Sequence, residues 1–153
     1  KKLGRPFADT DALLGKKHGA GPGELIQKRG LGVFRRLEAA LVRDLAAGRG
    51  RVIALGGGFY PSGARAPLLK RSGITVFLNC PWPELEGRLK AARGPRPLLS
   101  GPWEKAGPRA RRLYAARLPY YRRADITVNV AGLSPAQAAE KIKKGIIGSS
   151  PQW

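Results

Sequence analysis

The chain has 153 residues, 42% of them hydrophobic, with 29 Lys and Arg against 10 Asp and Glu and a formal charge of +19. That length suits one compact domain burying about 68–70% of its unfolded surface, and no apolar run approaches the ~20 residues of a membrane helix. Cys80 and His18 are the only cysteine and histidine, which excludes an intrachain disulfide, a cysteine-built zinc site and a Cys–His catalytic pair.

In chain order, the basic start Lys1-Lys2-Leu3-Gly4-Arg5 is not followed by the apolar core of a secretion signal, so a cytoplasmic protein is expected. Pro6-Phe7-Ala8 reads as a strand end, and Asp9-Thr10-Asp11 sits where that strand gives way to a helix. The pattern predicts a helix over Leu31–Ala47, with Phe34, Leu37, Leu41 and Leu45 on one face. Arg51–Leu55 reads as a buried strand running into Gly56-Gly57-Gly58, and a helix is expected over Ala64–Arg71. Strand Ile74–Asn79, helix Trp82–Ala91, helix Glu104–Arg117, strand Ile126–Val130 and helix Ser134–Lys144 follow. Residues 94–107, rich in Gly and Pro, suit a mobile loop flanked by arginines, and Gly145–Trp153 suits a frayed end. Alternating strands and helices predict a parallel α/β domain.

Three groups carry candidate chemistry. At a strand-to-helix turn, where open α/β sheets place ligands, Asp9 and Asp11 can divide the holding of a magnesium ion and the acceptance of a proton; capping of the next helix is the structural alternative. Gly56-Gly57-Gly58 lets backbone approach a ligand closely. Arg35 offers a guanidinium fork for a carboxylate, with Glu38 one turn later either orienting it or making an ordinary surface pair. Arg96 and Arg117 bracket residues 97–116 with further anion-binding forks.

Asp9-Thr10-Asp11, Phe34-Arg35-Arg36-Leu37-Glu38, Gly56-Gly57-Gly58, Arg96-Pro97-Leu98-Leu99, Arg117-Leu118-Pro119-Tyr120-Tyr121-Arg122 and Ala124-Asp125-Ile126-Thr127-Val128 together resemble the successive signatures of the shikimate kinase family. The resemblance implies a P-loop-kinase-like α/β three-layer sandwich with a parallel sheet, a single domain over residues 1–153, a substrate-binding helical insert over about 11–47 and a lid over about 93–112. It implies ATP-dependent phosphorylation of the shikimate 3-hydroxyl, in the route to aromatic amino acids, by a cytoplasmic monomer. Asp9 would help hold Mg2+ and Asp11 would bind and activate the hydroxyl. Arg35 and Arg117 would grip the shikimate carboxylate beside Gly56, Gly57 and Gly58, and Arg96 would reach the ATP phosphates.

The sequence departs from that family where G-x-x-x-x-G-K-[ST] is expected. Its nearest approach, Gly58 to Gly63 followed by Ala64-Arg65, lacks the Lys and the hydroxyl and reads as a turn into a helix. Leu31 stands where the family usually has Glu, and Gly15 and Pro22 stand where it tends to have Glu and an apolar residue, which bears on packing of the insert. The family's first strand, absent here, lies between those matching Arg51–Leu55 and Ile74–Asn79. Two expectations follow: the sequence is a fragment without kinase activity, or these two strands close the gap by pairing directly. A gluconate kinase-like enzyme and a catalytically dead basic binding protein are the alternatives. The charge adds an expectation of non-specific, salt-sensitive nucleic-acid affinity, although the basic residues are spread along the chain and Trp82, Trp103 and Trp153 do not interleave with a basic run.

Overall fold

The computed structural model describes residues 2–60, 66–92 and 101–148. Its contacts cluster into two compact units, Leu3–Gly73 and the chain from Ile74 on, the second joined by Lys2. Each unit carries one two-stranded parallel sheet.

In the first unit, β1 (Phe7–Asp9) pairs with β2 (Val52–Ala54) in the register Phe7 to Val52 and Asp9 to Ala54. Parallel strands need a long crossover, and α1 (Thr10–His18), α2 (Pro22–Arg29) and α3 (Leu31–Ala47) supply it. The three helices share a core of Leu14, Leu25 and Phe34, with Ala20, Ile26, Leu37 and Leu41 packed around it. Gly15 and Pro22 are absorbed without disturbing this core: Gly15 lies within α1, and Pro22 opens α2, where its missing N–H has no intrahelical partner to lose. α4 (Ala66–Ser72) completes the unit; Pro61–Arg65, part of the segment read as a turn into that helix, lie outside the described residues.

The α3 boundaries match the sequence expectation, but its buried face is rotated. Phe34, Glu38 and Val42 are buried, whereas Leu37 and Leu45 are only half-buried. Apolar periodicity counted leucines and had no means of placing a carboxylate at the centre of the inner face.

In the second unit, β3 (Val76–Asn79) pairs with β4 (Ile126–Asn129), and α5 (Trp82–Ala91) and α6 (Trp103–Tyr121) lie between them in sequence, with α7 (Pro135–Gly148) after β4. Cys80, Val128 and Val130 form the core, covered by Val76, Leu85, Ile126, Ala138 and Ile142. Asp125 pins the start of β4 to the start of β3: its carboxylate accepts from the Thr75 backbone N–H at 2.8 Å, and its own N–H donates to Thr75 Oγ1 at 3.0 Å.

Four expectations are corrected. The segment read as loop to Gly107 is helical from Trp103, so the C-terminal part of the expected lid belongs to α6, while Arg93–Ser100 lie outside the described residues. α6 also continues past Arg117 to Tyr121, because Pro108 and Pro119 both sit on its exposed side, where carbonyls left without a helical donor can face water. α7 runs on to Gly148 rather than fraying at Gly145, since a glycine there brings the helix close to β4: an added β-carbon would lie 3.2 Å from Ile126 Cγ2. Direct pairing of the second and third strands does not occur among the described residues, where the ladders are β1 with β2 and β3 with β4. No described helix is long and apolar enough to cross a membrane.

Candidate functional site

The site begins with the polar turn joining β1 to α1. Asp9 caps α1, its Oδ1 accepting the N–H groups of Asp11 at 2.9 Å and Ala12 at 3.0 Å. Capping and a ligand role are compatible here, because both cap bonds fall on a single carboxylate oxygen. Thr10, fully buried, turns its hydroxyl across to the second strand and accepts the Gly56 N–H at 3.2 Å. This bond ties the acidic turn to the glycine turn. The sequence reading gave Thr10 no such part; its only signal was a small hydroxyl side chain held between two acids.

The glycine turn is closed by the Phe59 N–H donating to the Gly56 carbonyl at 3.0 Å and anchored by the fully buried Phe59 ring. Its glycines have steric reasons. A β-carbon on Gly56 would stand 2.8 Å from Glu38 Oε1 and 2.9 Å from Asp11 Oδ1, and one on Gly58 would fall inside the Arg35 guanidinium. The turn therefore lies directly against Asp11 of α1 and against Arg35 and Glu38 of α3, residues distant from it in sequence.

Arg35 reaches this cluster from α3. Its Nη1 bonds Glu38 Oε2 at 2.6 Å, with Glu38 wholly buried and Arg35 22% exposed. Its Cζ also lies 5.4 Å from the centroid of the buried Phe34 ring. The surface-pair alternative is thus excluded. A buried carboxylate that aims a partly open guanidinium is a device for presenting one planar cation to an anion.

Burial pushes the Asp11 carboxyl above the ordinary carboxylate range, the nearby Asp9 charge adds to that, and the Arg35 charge pulls it back. Two carboxylates close enough to repel form a place where a hard dication is favoured. No group of three or more metal-ligating side chains occurs among the described residues. A magnesium ion that keeps waters and substrate oxygens needs only one or two carboxylates, and Asp9, whose cap bonds fall on Oδ1 alone, fits that requirement.

The structure thus brings together Asp9, Asp11, Arg35, Gly56, Gly57 and Gly58 in the first unit. Arg117 lies half-buried on α6 in the second, and Arg96 lies outside the described residues. The second unit holds a pocket of about 300 Å³ lined by Leu78, Arg88, Val130, Leu133, Pro135 and Ala138. It sits at the carboxyl ends of β3 and β4, the side at which parallel sheets receive ligands.

Comparison with known proteins gives one consistent result. The family model described as shikimate kinase matches residues 1–146. A shikimate kinase of Gloeobacter violaceus is 36% identical over 94% of this chain and 79% of its own length. One from Symbiobacterium thermophilum is 41% identical over 81% of this chain and 71% of its own. Among solved structures, a shikimate kinase from Acinetobacter baumannii in complex with shikimate superposes with a TM-score of 0.88 at 30% identity, covering 99% of this chain and 83% of that one. The enzyme from Aquifex aeolicus gives 0.78 at 29% identity, covering 96% and 84%.

Proposed function

The chain belongs to the shikimate kinase family, and from that premise we propose that its first unit binds shikimate and presents the 3-hydroxyl for phosphorylation by ATP. Membership makes the protein a kinase, an ATP-using transferase of aromatic amino acid biosynthesis. The observation that carries the residue-level reading is the Arg35 guanidinium, held by buried Glu38 and lying where any β-carbon on Gly58 would have to be.

In this reading the shikimate carboxylate docks on Arg35, with Arg117 as a second cation, and the ring lies against the side-chain-free surface of Gly56 to Gly58. Asp11 accepts the proton of the 3-hydroxyl as the oxygen attacks the γ-phosphorus of ATP, and ADP leaves. Burial raises the proton affinity of Asp11 and so makes it a better base, with the Arg35 charge opposing that rise. Asp9 would help hold Mg2+, which when bound neutralises charge on the phosphates. The apolar pocket flanked by Arg88 and Pro135 suits the flat base of ATP, and Arg96 is assigned to the phosphates. Catalysis here is positioning and electrostatic stabilisation. The chain acts as one kinase domain and a monomer. The sequence contains no Walker lysine or amide cradle, so these 153 residues by themselves are expected to turn over no substrate.

Titration calorimetry with shikimate tests the pocket. Replacing Arg35 or Arg117 by Ala is expected to weaken binding by about 1.5–3 kcal/mol each, the range for loss of a charge-assisted hydrogen bond. Unchanged affinity in both variants would remove the carboxylate assignment.

A further inference from the structure

Thr10 stands between the two acids of the turn and, like Glu38, is a polar side chain with no exposed surface. The reason lies in the ladder. Parallel strands exchange hydrogen bonds at every second residue, and here the Val52 N–H donates to the Pro6 carbonyl at 2.8 Å, with Phe7 opposite Val52 and Asp9 opposite Ala54. Counting on in twos, the rung after those of Val52 and Ala54 would join the Gly56 N–H to the Thr10 carbonyl. That carbonyl is turned away, because Thr10 is the first residue of α1 and its backbone oxygen points along the helix to the N–H four residues on. The side-chain hydroxyl takes its place and accepts the Gly56 N–H at 3.2 Å. One more rung is thus made to β2 after the chain has already become helix.

This rung falls where the chemistry is assigned. Asp11 is the next residue along α1, and Gly56 opens the glycine turn. The vacant side of Gly56 faces Glu38 Oε1 and Asp11 Oδ1, which lie 2.8 and 2.9 Å from where a β-carbon would stand. Gly56 is therefore held through its N–H by the residue before Asp11 while its open side lies against Asp11 itself. Slack of an ångström here would change the distance from Asp11 to anything lying on the turn, and misplacement on that scale is costly. Valine at position 10 would have the shape of threonine without the acceptor, leaving a backbone N–H without its bond.

We propose that Thr10 is a positioning residue: its hydroxyl sets the Asp11 carboxylate and the turn from Gly56 to Gly58 at the separation that lets one ligand hydroxyl reach Asp11 while the ligand ring lies on the turn. The proposal rests on the reading of Asp11 as the group that receives the shikimate 3-hydroxyl.

Calorimetric titration with shikimate and with 3-deoxyshikimate tests it on the wild-type chain, Thr10→Ser and Thr10→Val. Wild type should bind shikimate about tenfold or more tightly than the deoxy compound, as for a hydrogen bond to a charged group. Thr10→Ser should keep that ratio, and Thr10→Val should lose most of it. Both ligands meet the same protein, so any fraction unfolded by the substitution cancels from the ratio. A ratio of wild-type size in Thr10→Val, or an equal loss in Thr10→Ser, would overturn the proposal and leave the Asp11 assignment standing; no preference in wild type would overturn both. Should Thr10→Val not fold, hydrogen exchange at the Gly56 amide of the wild-type chain decides the matter, since coupling between two contacts is reciprocal. Saturating shikimate should slow that exchange several-fold beyond saturating 3-deoxyshikimate, and equal protection by the two would overturn the proposal.

Discussion

Adding a β-strand and a G-x-x-x-x-G-K-[ST] loop ahead of Lys1, taken from a complete homologue, is expected to raise the melting temperature and create shikimate-dependent ADP formation together. The strands explain the first effect. Among the described residues β2 and β3 each have one ladder neighbour, so each has an edge of backbone donors and acceptors that another strand can satisfy. The large side chains Phe7, Val52 and Leu78 are 66%, 37% and 49% exposed, although parallel strands are normally covered on both faces. Burying such side chains contributes about 1.5–3 kcal/mol apiece, and each kcal/mol moves the melting point of a domain this size by roughly 4 °C. Covering only the fractions still exposed amounts to about 2–5 kcal/mol in all, and a gain of about 9–18 °C is therefore expected. The second effect follows from chemistry: the loop supplies the amide cradle and the Lys that the present sequence lacks, and turnover should rise from background into the range of about 1–100 s⁻¹ typical of kinases. A graft that folds well without shikimate-dependent turnover would contradict the kinase reading and favour the basic binding protein. Turnover by the parent chain would contradict the expected inactivity.

In that grafted chain, Asp11→Asn should lower the rate by about 10²–10⁴-fold, the usual contribution of a positioned general base, without lowering stability. The two halves have one cause. The fold disfavours the Asp11 charge through burial and through Asp9, with only Arg35 opposing. A neutral amide of the same shape keeps the contact with the glycine turn and removes the repulsion. Stopped turnover with an unchanged or raised melting temperature is the expected pair of results. A rate within a few-fold of the parent, or a loss of rate that tracks a fall in melting temperature, would take the base role from Asp11.

Much of this was legible before any coordinates. Leu31–Ala47 and Trp82–Ala91 were delimited by their periodicity and flanking residues, and Ile126 and Asn79 fell at strand ends as read. The association of Asp11, Arg35 and Gly58 was legible only through motif order, since nothing in local sequence says that residues of α1, α3 and the turn after β2 meet. Burial of Glu38 was not legible, because its i,i+3 spacing from Arg35 is that of a common surface pair. The bond from the Gly56 N–H to Thr10 escaped for the same reason: a buried Thr has no periodic signature. The helix read to end at Arg117, before Pro119, continues to Tyr121 in the structure.

The central claim is that Arg35 recognises a carboxylate. A cycle of four calorimetric titrations tests it, measuring shikimate and its methyl ester against the wild-type chain and against Arg35→Ala. Both carry the same ring and hydroxyls, so the cycle isolates the pair of charges. The expected result is that wild type prefers the acid by about 1.5–3 kcal/mol and that Arg35→Ala loses most of this preference. If Arg35→Ala weakens acid and ester equally, or leaves the preference for the acid intact, the carboxylate is held elsewhere and the site assignment fails.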